Sequence, residues 1–220
     1  MSHYSKMYSA SDIDNMPQRV RANFINSLSG FKSANLIGTV DLQGIDNLAM
    51  VSSVFHIGAH PPLLGMIMRP HTVARDTLQN IKDNGEYTIN HVSCDFIAAA
   101  HQTSANYSPI TNEFDETGLT SYKTSNLKAP YVTEANIALG LQVQDIQLLA
   151  INNTELVIGQ VVEVLMRDDY TLDDGYVDIE KAQGVAVSGL DSYHVTTRKG
   201  RFSYAKAGQS LSMLPPEPRR

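Results

Sequence analysis

Apolar residues recur along this chain mostly in the alternation and short runs that are typical of β-strands. Strands are predicted over Ala34–Leu42 and Leu48–Ile57, joined as a hairpin by the turn-like Gln43–Asp46, and the run Leu63–Met68 predicts a buried strand. Further strands are predicted over Glu86–Val92, Ile137–Leu149 and Leu156–Met166. Because strands outnumber helices and hairpin-like connections outnumber helical crossovers, the pattern favours a mainly β fold, an antiparallel barrel with flanking helices, over a doubly wound sheet.

The first helical pattern follows an arm at the N-terminus. Asn15 is suited to cap a helix that ends before Gly30. Val20, Phe24 and Leu28 repeat every four residues, so we expect them to form the buried stripe of this helix.

A second helix is predicted from about Val73 to Asn84, capped by Thr72 and ended by Gly85. Its core-facing positions are Ala74, Leu78 and Ile81. This arrangement leaves Arg75 and Asn80 to face elsewhere.

Length and composition indicate one β-rich domain. We assign residues 16–206 to it, residues 1–15 to the arm and residues 207–220 to a C-terminal tail, and we expect the polar stretch Asn106–Asn126 to run over the surface. The hydrophobic content of 42% is enough for a sizeable core.

Charge and cysteine content restrict the class of protein. The formal net charge is -6 and no block of basic residues precedes the terminal Arg219–Arg220, so nucleic-acid binding is not expected. No apolar run reaches membrane-spanning length, and the polar N-terminus lacks a signal core. Since Cys94 is the only cysteine, no intrachain disulfide can form, and we expect a cytoplasmic protein.

Two adjacent serines, Ser52 and Ser53, carry the first chemical signal. About twenty residues later, Arg75 and Thr77 lie at the start of the second predicted helix. Strand hydroxyls, a fixed positive charge and a helix N-terminus are the groups that bind a phosphate. Side chains alternate along a strand, so both hydroxyls reach one phosphate only if the chain bulges. On these residues alone, one serine bonded within the sheet and one in solvent is the favoured interpretation.

The order and spacing of these residues resemble the flavin reductase-like family, and the resemblance runs from about residue 20 to about residue 206. It implies that the chain binds FMN on a split β-barrel. The segments that carry it are Asn47–Phe55, Arg75–Thr77, Gly85–Asn90, Asn112–Asp115, Lys128–Pro130 and Val157–Val161.

The resemblance also implies a set of flavin-binding residues. The strand that ends in the two serines would lie along the flavin, with its backbone N–H groups facing the carbonyl edge of the ring and its serine end near the phosphate. The strand set is Asn47, Ala49, Met50, Val51, Ser52 and Ser53. The family often has proline where this chain has Met50, which restores one backbone donor.

For the phosphate, the resemblance implies Arg75 and Thr77, with Arg69 as a second candidate cation. Asn80 is included in the same set, although a place on the helix surface is its ordinary alternative. His194 lies in a Gly/Tyr/His segment that resembles the family's region near the flavin or the nicotinamide, and a partly exposed helix histidine is the alternative.

Other kinds of site are not indicated. His56, His60, His91 and His101 lack the spacing and acidic company of a metal site. The acidic Asp173–Gly175 fails the register of a calcium-binding EF-hand.

The resemblance implies an NAD(P)H-dependent flavin reductase or a related oxidoreductase. Hydride would pass from the nicotinamide to N5 of FMN, with the protein supplying binding and stacking. A homodimer with the flavin near the subunit interface is expected, and a partner oxygenase is an open possibility. A non-enzymatic FMN carrier or sensor is the alternative. A third interpretation keeps the fold and changes the ligand, as in pyridoxamine-phosphate-oxidase-like or haem-binding relatives.

Overall fold

The protein is described from a computed structural model, which covers residues 5–70, 76–108 and 110–214. Five α-helices lie in these ranges: α1 (Ala10–Asp14), α2 (Gln18–Leu28), α3 (Asp76–Asn84), α4 (Ile97–Gln102) and α5 (Glu113–Thr117). The strands are β1 (Lys32–Ser33), β2 (Asn35–Val40), β3 (Asp46–Val51), β4 (Val54–Ala59), β5 (Pro62–Met68), β6 (Glu86–His91), β7 (Ser121–Tyr122), β8 (Tyr131–Val132), β9 (Ile137–Leu149), β10 (Thr154–Met166), β11 (Val185–Ser188) and β12 (Ser192–Val195).

One seven-stranded antiparallel sheet dominates the fold, in the order β3-β2-β6-β9-β10-β5-β4. A small sheet of β1, β11 and β12 lies beside it, and β7 pairs with β8. The prediction of a mainly β, antiparallel split barrel is confirmed. None of the helices in the described part of the chain is long and apolar enough to cross a membrane.

The two edges of this sheet are joined by only two residues. β3 and β4 lie at opposite ends of the strand order, yet Ser52 and Ser53 alone separate them in the chain. Two residues span only about 7 Å when extended, so the sheet must curl until the end of β3 lies beside the start of β4. Register shifts between Ile158 and Gly159 and between Val161 and Glu163 of β10 bend the sheet in the same region.

The prediction of a single strand over Leu48–Ile57 is therefore wrong. The segment runs in one direction but changes partner, since β3 pairs with β2 and β4 pairs with β5. The break between these pairings lies at Ser52–Ser53.

The main core fills the barrel beneath α3. Leu78 and Ile81 on this helix are fully buried against Ile37, Met66 and Val157 of the barrel strands. The expectation that these two helix positions face the core is confirmed.

A second core lies on the other side of β2 and β3. It joins Leu36 and Leu48 to Phe114 of α5 and Val187 of β11. Phe114 is only 2% exposed. The expectation that Asn106–Asn126 runs over the surface is thus wrong around α5, which covers apolar residues of β3.

Helix α2 does not bury the stripe that its sequence predicts. Val20 is 53% exposed and Leu28 65% exposed, and no described residue of α2 is buried. The four-residue apolar repeat is present in the sequence, but no buried core of the described residues packs against it. The segment assigned to the arm also contains the short helix α1.

Candidate functional site

At the junction between β3 and β4, one serine hydroxyl is hydrogen-bonded to the protein and the other is not. The Ser53 hydroxyl donates a hydrogen bond of 2.7 Å to the carbonyl oxygen of Ile67 on β5. Ser52 is half-buried, and its hydroxyl makes no hydrogen bond with another described residue. Ser52 is therefore the serine whose hydroxyl is available to a ligand, while Ser53 fixes the junction against β5.

The outer edge of β3 presents backbone N–H groups from alternate residues, because the others pair with β2. One of these outward groups, the N–H of Leu48, donates 2.9 Å to Oε2 of Glu113 on α5. Because N–H groups alternate between the two sides of a strand, the next outward N–H belongs to Met50, and it points away from β2. Burial raises the pKa of Glu113, and the negative charge of Asp76 adds to the increase.

Asn47, Thr77 and Asn80 lie at the other end of β3, and all three are buried. Asn47 donates 3.3 Å to the Thr77 hydroxyl, and Asn80 donates 3.2 Å to the hydroxyl of Thr39. The expectation that Asn80 faces away from the core is wrong, because its amide ties α3 to β2.

These three residues are too far from the serines to share one phosphate with them. Five residues of extended strand separate Asn47 from Ser52, which is about 16 Å. A small cavity of about 100 Å³ beside the Asn47 end is lined by four carboxylates, from Asp41, Asp46, Asp76 and Glu113. Lys123 pairs with Asp46 at 2.7 Å, so among the described residues three of these carboxylates are left without a cation. Arg75 lies outside the described residues.

The chain that carries Arg69 lies beside the serine junction, because Ser53 bonds to Ile67 on β5. Arg69 follows two residues after Ile67 and is exposed. A second cation, Lys32 on β1, has its pKa lowered by burial and further by the positive charge of Arg69. Lys32 Nζ also donates to the carbonyl oxygens of Asn26 at 3.2 Å and Gly189 at 2.9 Å.

No carboxylate of the described residues pairs with either of these cations. Two uncompensated like charges in a chain of net charge -6 form a local anion-attracting surface. Sequence inspection did not identify Lys32. No local motif marks it, because its neighbours come from α2, β5 and the turn between β11 and β12.

His194 lies on β12, so the helix histidine alternative is wrong. Its Nε2 is 2.8 Å from the Ser188 hydroxyl, and its ring packs against Phe31 with centroids 4.7 Å apart. These contacts fix the ring in the small sheet beside Lys32, which pairs with Val187. Among the described residues, no cluster of three or more acidic, cysteine or histidine side chains is arranged to hold a metal ion.

Comparison with known proteins agrees with this architecture. Residues 28–181 match the family described as flavin reductase like domain. A split-barrel protein of Shewanella frigidimarina, described as a candidate flavin reductase, is 48% identical, with a TM-score of 0.88 over 91% of this chain and 100% of that one.

Two more distant structures share the fold. Nitrilotriacetate monooxygenase component B of Bacillus cereus is 19% identical, with a TM-score of 0.80 over 91% of this chain and 100% of that one. Flavoredoxin of Desulfovibrio vulgaris (Miyazaki F) is 23% identical, with a TM-score of 0.67 over 82% of this chain and 93% of that one.

Proposed function

Because the chain belongs to the family of flavin reductase-like domains, we propose that it binds FMN and catalyses its reduction by NADH or NADPH. Flavin, when bound, supplies the hydride-accepting chemistry, and the protein supplies the binding groups and their geometry.

The observation that carries the proposal is the positive charge at the serine junction. Ser53 at this junction donates to the carbonyl oxygen of Ile67, two residues before Arg69, and no carboxylate of the described residues pairs with Arg69. A phosphate monoester fits such a site, because a guanidinium binds it through a charged fork and a hydroxyl adds a further donor. We assign Arg69 and Ser52 to the phosphate directly, with Ser53 bracing the junction.

The half-buried residues Ala49, Met50 and Val51 lead away from the junction. The Met50 N–H is the outward donor of β3 that Glu113 leaves available, so we place the carbonyl edge of the flavin ring against it. Asn47, Thr77 and Asn80 then support the fold at the far end of the strand, since their side chains are already hydrogen-bonded. Arg75 remains a proposed phosphate ligand that precedes α3.

His194 is proposed as a positioning residue for the nicotinamide. Its hydrogen bond to Ser188 and its contact with Phe31 fix the plane of the imidazole. An ordered polar ring beside the flavin site would orient a second planar substrate without exchanging a proton with it.

We also propose that the protein is a homodimer. Large apolar side chains are exposed on the edge strand β4, among them Phe55 at 43% and Ile57 at 40% exposure. A second copy covers such an edge and removes its unpaired backbone groups from solvent.

We propose a cytoplasmic location, because a reducing compartment suits the free cysteine Cys94.

The proposal is tested by following NADH or NADPH oxidation while FMN is added beyond one equivalent. A reductase that releases its flavin speeds up with added FMN, and reduced flavin then becomes available to a separate oxygenase. If the rate saturates at one equivalent, FMN is a fixed cofactor. No oxidation at any flavin concentration refutes the reductase assignment and favours an FMN carrier.

A further inference from the structure

A second cavity lies between the start of the main sheet and the small sheet. Its volume is about 360 Å³ and its mouth is open to solvent. This is the size at which a pocket holds a small organic molecule. The lining residues that determine its chemistry are Phe31, Lys32, His91, Ile179, Ala186 and Thr196.

The walls of this cavity are mainly apolar, and one of them is aromatic. Phe31 is 67% exposed, yet its ring is fixed from one side by His194 at a centroid distance of 4.7 Å. An exposed but braced aromatic face is suited to stack on a planar ligand. Ile179 and Ala186 form aliphatic surface in the same cavity.

The only charged side chain among its described lining residues is a cation. Lys32 lines the cavity, and no carboxylate does so. Its ammonium is held by the carbonyl oxygens of Asn26 and Gly189, so it is fixed in place without being neutralised. The cavity therefore favours an anion, although the whole chain carries a net charge of -6.

The floor of the cavity contains a polar ring without a protein partner. His91 lines the cavity, and no described residue forms a hydrogen bond with its ring nitrogens. Burial lowers the pKa of His91 to about 4, so the ring is neutral near pH 7 and offers one donor and one acceptor. His91 is half-buried, so its ring nitrogens are open to water or to a ligand in the cavity.

We propose that this cavity binds a planar aromatic molecule that carries an anionic group, with its ring against Phe31 and its anion at Lys32. The ligand is a second substrate or an effector, bound in addition to any flavin. This inference stands on the cavity residues themselves and does not require the flavin reductase activity.

The test uses the purified protein with its bound cofactor content unchanged and three probes of one shape. Calorimetric titration compares 2-naphthoate, the neutral 2-naphthamide and the cationic 2-naphthylmethylamine. We expect naphthoate to bind roughly tenfold more tightly than naphthamide, because a charged hydrogen bond to Lys32 is gained, and we expect the cation to bind most weakly.

Three variants and one control localise the binding. Lys32→Met should remove the preference for naphthoate over naphthamide, whereas Lys128→Met, at an exposed lysine elsewhere, should leave it unchanged. Ala186→Leu fills the cavity and should weaken naphthoate and naphthamide alike. Because Ala186 lies in a strand, Phe31→Ala at an exposed position provides the same test without a risk to folding, and it should also weaken both probes.

Three results would overturn the proposal. The first is equal affinity for naphthoate and naphthamide in the unaltered protein, and the second is naphthoate affinity that survives both Ala186→Leu and Phe31→Ala. The third is complete displacement of naphthoate by saturating FMN, which would make the cavity part of the flavin site. FMN affinity measured in the same variants separates these outcomes from a failure of the proposed flavin site, since Phe31→Ala should leave FMN affinity near its original value.

Discussion

The hydroxyl of Ser53 donates a hydrogen bond of 2.7 Å to the carbonyl oxygen of Ile67. This bond ties the junction between β3 and β4 to β5, the strand that pairs with β4. It fixes Ser52 beside the end of β5, from which the chain continues to Arg69. The same feature that closes the barrel therefore positions the groups that we assign to a phosphate.

The hydrogen bond from the Leu48 N–H to Glu113 should stabilise the β3 edge. Glu113→Ala leaves this partly buried donor without an acceptor, at an expected cost of about 1–2 kcal/mol in the free energy of unfolding. Glu113→Gln keeps an acceptor oxygen in place and should cost clearly less. Urea denaturation of both variants measures the difference, and equal losses would show that the carboxylate acts by charge rather than as an acceptor.

His91 should make stability depend on pH. Its pKa is about 4 in the folded protein, below the value of about 6.5 for an unfolded chain. The unfolded state thus binds the proton more readily, and stability that is fully present above pH 6.5 declines as the pH falls towards 4. The contribution is up to about 3 kcal/mol.

His91→Gln should flatten this part of the unfolding free energy profile between pH 7 and pH 4. The exposed His60→Gln is the control and should retain the full decline. If His91→Gln and the unaltered protein lose stability in parallel, the histidine is protonated in the folded state.

His194→Ala should lower the rate of hydride transfer, because the nicotinamide loses an orienting group. We expect a decrease of roughly tenfold, with FMN affinity near its original value. Stopped-flow flavin reduction measures the rate, and Ser188→Ala, which removes the hydrogen-bonding partner of the imidazole, should give a smaller effect in the same direction. An unchanged rate in both variants would make His194 purely structural.

Light scattering should give about twice the chain mass of 24.2 kDa at micromolar concentration. Ile57→Asp places a charge on the proposed interface at β4 and should shift the mass towards the monomer. Ile151→Asp is the matched control, because Ile151 is 94% exposed in the turn after β9 and should not change the mass. A monomer in the unaltered protein would contradict the dimer.

Strand and helix patterns predicted much of this fold. The strand Ile137–Leu149 has the bounds that its alternation indicates, and Leu78 and Ile81 are buried as the helical period requires. These features depend on local periodicity, which the sequence contains. The division of Leu48–Ile57 into two strands does not depend on local periodicity. It is set by pairing with two different strands, β2 and β5, on opposite sides of the barrel.

The candidate site was only partly visible in the sequence for the same reason. Ser52, Ser53 and Arg69 belong to the predicted set, whereas the effect of Arg69 on Lys32 depends on the folded arrangement of distant segments. Thr77 is close to Ser52 in the expected motif, yet the length of β3 separates them. The exposed stripe of α2 is a related case. An apolar repeat predicts that one helix face packs against something, but it does not specify which part of the structure that is.

The central claim is that the serine junction and Arg69 bind the phosphate of FMN. Its most direct test is to measure the affinities for FMN and riboflavin in the unaltered protein, in Arg69→Ala and in the control Arg19→Ala, which changes an exposed arginine of α2. We predict that FMN binds far more tightly than riboflavin, that Arg69→Ala weakens FMN by roughly 10–100-fold without changing riboflavin, and that Arg19→Ala changes neither. Equal affinities for FMN and riboflavin in the unaltered protein, or an Arg69→Ala variant that binds FMN normally, would contradict the account.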